Sequence, residues 1–307
     1  MNILGPIINL LFFPAGLFVL IIGLAYLWVD RKLVAQFQNR IGPRWFQPLA
    51  DVVKLFFKEE VVPDGVDARF FVGLPILALA AALTTALYVP LVGLQGAYNF
   101  PGDLIVVVYL LSGVTMSLAL AGSNTASRFS RIGATRTLTQ LFSYEAPFLL
   151  ALLGPAIVAH SWQINTINSY AGTHWVLLTQ PIGFVIALVG LMGKLEIPPF
   201  DAPEAETEIV AGAMTEYSGR GLAIFQLAKA VEMIVGLTLI AALYLGGIGN
   251  PIDFFAKTLI LLLFLAGLQS LFTRFRIEQT VKWWRYAALL VLAQWVIMVV
   301  LGQGVLS

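Results

Sequence analysis

The sequence contains no cysteine and only two histidines, and these absences limit the chemistry that the chain can carry. Without thiolates it cannot ligate an iron–sulfur cluster through cysteine, form a disulfide or build a cysteine-type zinc site. The two histidines, His160 and His174, lie close together in the sequence, which argues against a haem held by paired histidines from separate helices. We therefore expect that this chain binds no cofactor by itself.

Charge is also scarce, and long stretches carry none at all. Only 11% of the 307 residues are charged, 59% are hydrophobic, and the mean hydropathy is +0.87. Soluble domains have about 25% charged residues, whereas a bilayer core of about 30 Å needs about 20 apolar helical residues. The expected fold is one all-α integral membrane domain over residues 1–307, with eight spans near 6–29, 70–92, 103–122, 138–160, 176–193, 221–246, 257–273 and 285–303.

The basic residues alternate between successive connections of these spans. All 18 lysines and arginines except Lys229 and Lys257 lie in the first, third, fifth and seventh connections. The positive-inside rule places such connections in the cytoplasm. The sequence therefore predicts a multi-pass protein of the cell membrane with both termini outside.

The first connection is predicted to contain an amphipathic helix over residues 47–58. Leu49, Val52, Val53 and Phe56 recur at helical spacing, and Pro48 suits a first helical turn. Three turns are too few to cross a bilayer, so this helix should lie in the membrane interface. It either tethers the loop or forms a docking surface, for which the candidate residues are Arg31, Arg40, Arg44, Asp51, Lys54 and Lys58.

The fifth connection is unusually acidic. Asp201 and Glu204 resemble a capping box at the start of a short helix, which would place Glu204 and Glu208 on one helix face. Like charges four residues apart repel, and partial desolvation would raise their pKa values so that they hold protons. Carboxylates in this state are suited to proton uptake or charge coupling. The acids of this segment are Glu196, Asp201, Glu204, Glu206, Glu208 and Glu216.

Three ionisable residues fall inside predicted spans, namely Glu145, Lys229 and Glu232. A charge at the centre of a membrane helix costs about 2.5–3.5 kcal/mol on the insertion scale, so each is a functional candidate. Lys229 and Glu232 are three residues apart and either neutralise each other or serve transport. Glu145 has no nearby cation on its own helix and needs one from another helix, either Lys229 or Lys194. These four residues complete the candidate ion-coupling set.

Several short motifs together resemble the large docking subunit of the membrane arm of respiratory complex I (the H-type subunit of NADH-quinone oxidoreductases), which is shared with energy-converting membrane-bound hydrogenases and sulfur reductases. The resemblance implies an eight-helix core, contact with a peripheral arm that carries iron–sulfur clusters, and an acidic funnel that leads to antiporter-like and small membrane subunits. It implies no nucleic-acid partner. The motifs are Asp30–Lys32, Arg40–Pro43, Gln47–Asp51, Lys54, Lys58–Glu59, Ser143–Pro147, Pro199–Asp201, Pro203–Glu204, Glu208–Gly212 and Glu216–Gly219.

The chain also departs from the quinone-reducing members that it resembles. Lys194 and Lys229 occupy places where those relatives usually carry acids, and Ile197 replaces a usual arginine. These exchanges favour a ferredoxin-driven complex of the membrane-bound hydrogenase or sulfur-reductase type that couples electron transfer to proton or sodium translocation. A quinone-site subunit of an NADH-type or similar quinone oxidoreductase is the alternative.

Two other classes of function explain less of the sequence. A free-standing secondary transporter would be expected to show repeats with broken helices at matching positions, and no repeat is evident. A passive anchor for a peripheral arm would account for the basic connections. It would not account for the intramembrane residues Glu145, Lys229 and Glu232.

Overall fold

The computed structural model describes the backbone of residues 4–300 and the side chains of residues 8–205 and 207–300. Within these ranges the chain is helical, with turns and loops between the helices and no β-strand. The helices are α1 (Leu4–Leu11), α2 (Gly16–Phe37), α3 (Gln47–Phe57), α4 (Ala68–Ala86), α5 (Asp103–Ser123), α6 (Arg128–Val158), α7 (Ile164–Thr173), α8 (Val176–Thr179), α9 (Pro181–Lys194), α10 (Glu206–Ile209), α11 (Gly219–Tyr244), α12 (Pro251–Leu271) and α13 (Ile277–Val300).

Seven segments of the described chain are long and apolar enough to cross a membrane. They are Ile8–Phe37 and the helices α4, α5, α6, α11, α12 and α13. The predicted span at 176–193 corresponds to α9, an apolar helix of 14 residues. At 1.5 Å per residue α9 is about 21 Å long, shorter than a bilayer core of about 30 Å. The chain is therefore a multi-pass membrane protein, and an eighth full span remains a prediction.

Helix α11 lies at the centre of the bundle. It packs against α2, α3, α4, α7, α9 and α12, and all of its residues from Ala230 to Tyr244 are buried. Small residues allow the close approach, since a Cβ atom on Gly23 of α2 would lie 2.8 Å from the carbonyl oxygen of Ala230. Membrane helices associate through such small-residue contacts, because lipid provides no hydrophobic drive between them.

The amphipathic segment of the first connection forms helix α3, which ends one residue before the predicted boundary. Val52 of this helix is buried, and α3 packs against α2 and α11. The remaining apolar residues Leu49, Val53 and Phe56 are 53%, 45% and 40% exposed. The helix thus uses only part of its apolar surface for contact within the subunit.

Candidate functional site: a buried row of charges

Lys194, the last residue of α9, is fully buried among α5 and α6. Its Nζ donates a hydrogen bond to Ser112 Oγ at 3.0 Å and lies 3.7 Å from Glu145 Oε2. The Ser112 hydroxyl in turn donates to the other oxygen of Glu145. The rings of Tyr144 and Phe148 face the ammonium at 5.2 and 5.5 Å, distances at which an aromatic ring attracts a cation. Of the two cations considered for Glu145, the structure supplies Lys194.

Glycine positions the helix that carries this lysine. A Cβ atom on Gly193 would lie 2.8 Å from the ring of Trp284 and 3.3 Å from that of Tyr144. A larger residue would therefore push α9 away from α6 and α13. The close packing keeps water from Lys194 and makes its contacts with Ser112 and Glu145 the means by which its charge is balanced.

Lys229, in the first half of α11, holds the second group of charges. Its Nζ donates to Glu196 Oε2 at 2.9 Å and also to Glu204 Oε1. The Glu196 side chain is 2% exposed and that of Glu204 33% exposed. Burial raises the pKa of Glu196, while Lys229 opposes the rise and the Glu204 charge adds to it. This carboxylate therefore takes up a proton more readily than an exposed glutamate does.

Glu232 joins the two groups. It is 1% exposed, and within the described part of the chain no basic nitrogen lies within 4.0 Å of its carboxylate. Its charge is attracted by Lys194 and, more weakly, by Lys229, and it is repelled by Glu196 and Glu145. A charge change at either lysine therefore alters the field at Glu232.

Of the two interpretations of Lys229 and Glu232, mutual neutralisation through an ion pair is wrong, because Lys229 pairs with Glu196 and Glu204 instead. The lysine side chain turns to the fifth connection, because Glu196 and Glu204 offer it two carboxylates at hydrogen-bond distance. Tertiary contact thus outweighs the pairing of neighbours on one helix, which is worth only about 0.2–0.5 kcal/mol.

One end of the row opens into a cavity of about 500 Å³. Asp30, Asp51, Glu196, Glu204 and Lys229 lie in its wall, together with apolar side chains of α2, α3 and α11. The cavity is therefore bounded by both the amphipathic helix α3 and the acidic connection. Its mixed lining could admit water, ions or an amphipathic ligand.

The other end of the row reaches the side of the bundle. Glu145 is 21% exposed. One turn before it on α6, Phe142 is 72% exposed, and one turn before Ser112 on α5, Tyr109 is 61% exposed. The surface next to Glu145 is therefore apolar and suited to contact with lipid or with a neighbouring membrane subunit.

Glu208 lies outside the buried row. Its two carboxylate oxygens accept hydrogen bonds from Arg136 and Arg274, each at 2.8 Å, and the side chain is 47% exposed. These arginines lower its pKa, with the hydrogen bond from Arg136 as the largest cause. The expectation that Glu208 is desolvated and proton-holding was wrong, because folding brings two cations to it from distant segments.

The expected capping box was wrong as well. Asp201–Glu204 form turns, and the short helix α10 begins only at Glu206, after Ala205, without a side-chain cap. Glu204 binds Lys229 and is therefore not available to cap a helix, and Glu204 and Glu208 do not share one helix face. Two non-glycine residues of this segment, Ala205 and Val210, have positive φ values of 27° and 63°. Such conformations persist only where surrounding contacts enforce them.

The remaining acids of the connection take separate positions. Asp201 follows the buried Phe200 and is half-buried, and its carbonyl oxygen accepts the Ala205 N–H at 2.9 Å. Glu216 is half-buried in the turn before α11. The side chain of Glu206 lies outside the described residues.

The candidate docking residues surround α3 at one end of the bundle. Arg31, which is half-exposed, lies 3.6 Å from Asp51, and the remaining four are exposed, namely Arg40, Arg44, Lys54 and Lys58. Sequence reasoning missed their apolar neighbours: Ile41 is 99%, Trp45 73% and Phe57 89% exposed. Exposed tryptophan beside arginine is typical of energetically dominant contacts in protein interfaces.

Sequence reasoning also missed the polar link and the arginine partners. Ser112 is an ordinary serine within an apolar helix, and no spacing rule connects it with residues 33 and 82 positions away. Arg274 is 66 positions from Glu208. The sequence signal for this contact is the arginine content of the seventh connection, which we interpreted only as evidence for the membrane topology.

Comparisons with known proteins agree with this architecture. A family model described as NADH dehydrogenase matches residues 10–300. The H-type subunit of the NADH-quinone oxidoreductase of Dehalococcoides mccartyi (strain 195) is 31% identical over 292 residues, which cover 91% of this chain and 82% of that protein. The corresponding subunit of Thermomicrobium roseum is 34% identical over 288 residues, covering 83% of this chain and 84% of that protein.

A solved structure shows the same fold at lower identity. A chain of the membrane-bound sulfane sulfur reductase, an archaeal respiratory membrane complex, superposes with a TM-score of 0.83 at 22% identity. The match covers 91% of this chain and 95% of that chain.

Proposed function

The chain belongs to the NADH dehydrogenase family, and from that premise we propose that it docks the peripheral redox arm of a complex I-like respiratory complex and couples electron transfer to proton or sodium translocation. In this proposal the electrons come from ferredoxin, and the complex is of the membrane-bound hydrogenase or sulfur-reductase type. The chain itself is a non-catalytic membrane subunit. Its partners are the iron–sulfur subunits of the arm and antiporter-like and small membrane subunits.

The observation that carries the proposal is the electrostatic interaction between the buried charges of the row. The row runs from the cavity beside α3 through Lys229, Glu232 and Lys194 to Glu145 at the side of the bundle. A change of charge or protonation in the cavity would weaken or strengthen the contacts of Lys229 with its two acids. Because buried charges are poorly screened, Glu232 would transmit that change to the Lys194–Glu145 pair and to the adjoining membrane subunit.

Two lysines in the row support a ferredoxin-driven complex, because the quinone-reducing members that the chain resembles usually carry acids at these places. Lys194 and Lys229 each have carboxylate partners, so their positive charges are an integral part of the site. The quinone alternative is favoured by a different observation, namely the cavity of about 500 Å³ with apolar and polar walls. Pockets of this size and mixed lining are typical of small-molecule sites. Turnover of the purified complex with ferredoxin or with a soluble quinone as electron carrier distinguishes the two.

The test of coupling is Glu145→Gln, which keeps shape and removes the titratable charge. We expect the variant complex to pump fewer ions per electron in reconstituted vesicles, while electron transfer to a soluble acceptor stays close to wild type. Asp64→Asn, which also replaces a carboxylate by an amide, lies at an exposed position outside the row; it is the control and should leave both rates unchanged. Normal pumping by a fully assembled Glu145→Gln complex contradicts the coupling role.

The docking proposal rests on the basic residues around α3 and on the exposed Ile41 and Trp45. Reversing the charges of Arg40, Lys54 and Lys58 together should release the peripheral arm, because complementary charges steer and orient such interfaces. The subunit should remain in the membrane, and co-purification of the arm measures the loss.

The control for docking reverses three basic residues of other connections, Arg128, Lys282 and Arg285, which are all exposed. It should retain the arm. If both triple variants retain it, the surface around α3 does not dock the arm. The same proposal places the basic connections in the cytoplasm and both termini outside the cell membrane.

A further inference from the structure

A second cavity lies apart from the charged row, where α6, the acidic connection and the start of α13 meet. It has a volume of about 490 Å³, and Arg136, Arg274 and Arg276 line it together with Glu208 and Phe275. Three guanidinium groups thus face one space at the end of the bundle that carries the basic connections.

These guanidinium groups have unused capacity for an anion. Arg136 donates to Glu208 and to the Ala202 carbonyl, and Arg274 donates to Glu208 and to the Thr207 hydroxyl, although each guanidinium has five N–H donors. Arg276 is exposed, and within the described side chains it forms no ion pair within 4.0 Å. Among the side chains that the structure describes, the other acid in the wall is Glu278, in the first turn of α13, where the positive end of the helix stabilises it. The cavity therefore keeps excess positive charge.

The cavity lies at the level where lipid headgroups are expected. Helix α12 ends at Leu271 and α13 begins at Ile277, so the arginines occupy a short connection between two membrane-spanning helices. Leu271 and Phe272, immediately before it, are 79% and 50% exposed. Exposed apolar residues beside arginines at a span boundary are typical of the membrane interface.

An apolar groove lies farther along the same side of the bundle. It has a volume of about 400 Å³ and lies between α9 and α13, with Ile182, Trp283 and Leu290 among its walls. An aromatic cluster lies between the two spaces: Phe275 of the cavity wall packs on the buried Phe200 at 5.8 Å between ring centroids, and Phe200 packs on Trp283 of the groove at 5.4 Å. A basic cavity at the interface and an apolar groove at membrane depth fit the two parts of one amphipathic molecule.

We propose that this cavity binds the phosphate of an anionic phospholipid whose acyl chain lies in the groove between α9 and α13. Basic pockets between membrane helices on the cytoplasmic side bind such headgroups. The arginines supply bidentate donors that match phosphate geometry. The lipid would join α6, the acidic connection and α13 at the membrane surface.

The test uses the complex that contains this chain, purified in mild detergent, and native mass spectrometry with added phosphatidylglycerol or phosphatidylcholine. Phosphatidylglycerol should be retained preferentially. Arg276→Gln, which leaves both ion pairs of Glu208 intact, should lower its apparent affinity about fivefold, the effect of one basic residue at a membrane surface. Arg285→Gln, an exposed change on α13 outside the cavity, should change it less than about twofold.

Three outcomes would overturn the proposal. Equal retention of both lipids, or wild-type affinity in Arg276→Gln, would show that the arginines do not select a headgroup. Displacement of phosphatidylglycerol by excess inorganic phosphate would show that the groove adds nothing to a phosphate site. Loss of the peripheral subunits from Arg276→Gln with unchanged lipid retention would assign the surface to a protein partner.

Discussion

Glu196 and Glu208 lie in the same connection, yet the structure gives them opposite properties. Glu196 is 2% exposed and shares Lys229 with Glu204, and burial raises its pKa. Glu208 is 47% exposed and has two arginine partners, which lower its pKa. The difference teaches that burial and the cations that folding supplies, more than the number of acids in the segment, set the direction in which the pKa of each carboxylate moves.

The same difference separates two roles within the connection. An exposed carboxylate between arginines stays charged and holds α10 to α6 and to the α12–α13 connection. A buried carboxylate that shares one lysine with another acid can change its protonation when the field in the cavity changes. In the proposed function, the ion-coupling role is therefore assigned to the part of the connection nearest α9 and α11.

The largest expected effect comes from removing the cation of the buried group. Lys229→Met leaves Glu196 and Glu204 without their shared partner, and breaking a buried ion pair from one side costs about 3–5 kcal/mol. We expect a lower free energy of unfolding in detergent and poorer assembly of the complex. Arg136→Gln removes one of the two cations of the exposed Glu208 and a hydrogen bond to the Ala202 carbonyl. It is the control and should lower the free energy of unfolding less than Lys229→Met does, because solvent screens an exposed ion pair.

A double variant distinguishes lost pairing from lost packing. If unpaired carboxylate charge causes the destabilisation, adding Glu196→Gln to Lys229→Met should restore part of the stability. If the double variant is no more stable than Lys229→Met alone, the long side chain of Lys229 acts through packing. The difference between the surroundings of Glu196 and Glu208 is then not electrostatic in origin.

Much of the fold could be predicted because the membrane imposes a strong pattern. Uncharged runs located seven apolar spans, and helical spacing located α3 to within one residue of its end. The span at 176–193 was less accurate. Its chain is interrupted at Gln180, between α8 and α9, and apolar composition alone cannot reveal where a helix breaks.

The candidate site was predictable in composition but not in pairing. The cost of charge in a membrane identified Glu145, Lys229 and Glu232, and these residues do lie in one row. Which acid meets which lysine depends on how α5, α6, α9 and α11 pack, and local rules gave Lys229 the wrong partner. The capping box failed for the same reason, since a contact with Lys229 competes for Glu204.

The smallest expected effect is a difference in pH dependence between Glu196→Gln and Glu208→Gln, measured as the thermal unfolding midpoint of the purified chain. Because the folded-state pKa of Glu196 is raised above its ordinary 4.5, the wild type should lose stability relative to Glu196→Gln as pH rises from 4.5 through the folded value.

Glu208 should give the opposite sign over a different range. Its folded-state pKa lies below 4.5, so its stabilisation is complete above that pH and is lost as pH falls through the folded value. The thermal unfolding midpoint of the wild type should therefore be higher than that of Glu208→Gln above pH 4.5, and the two midpoints should converge in acid. The difference should be small, because solvent and salt screen an exposed ion pair. If both differences change with pH in the same direction, solvent exposure does not separate these two carboxylates, and the division of the connection into a holding part and a titrating part is wrong.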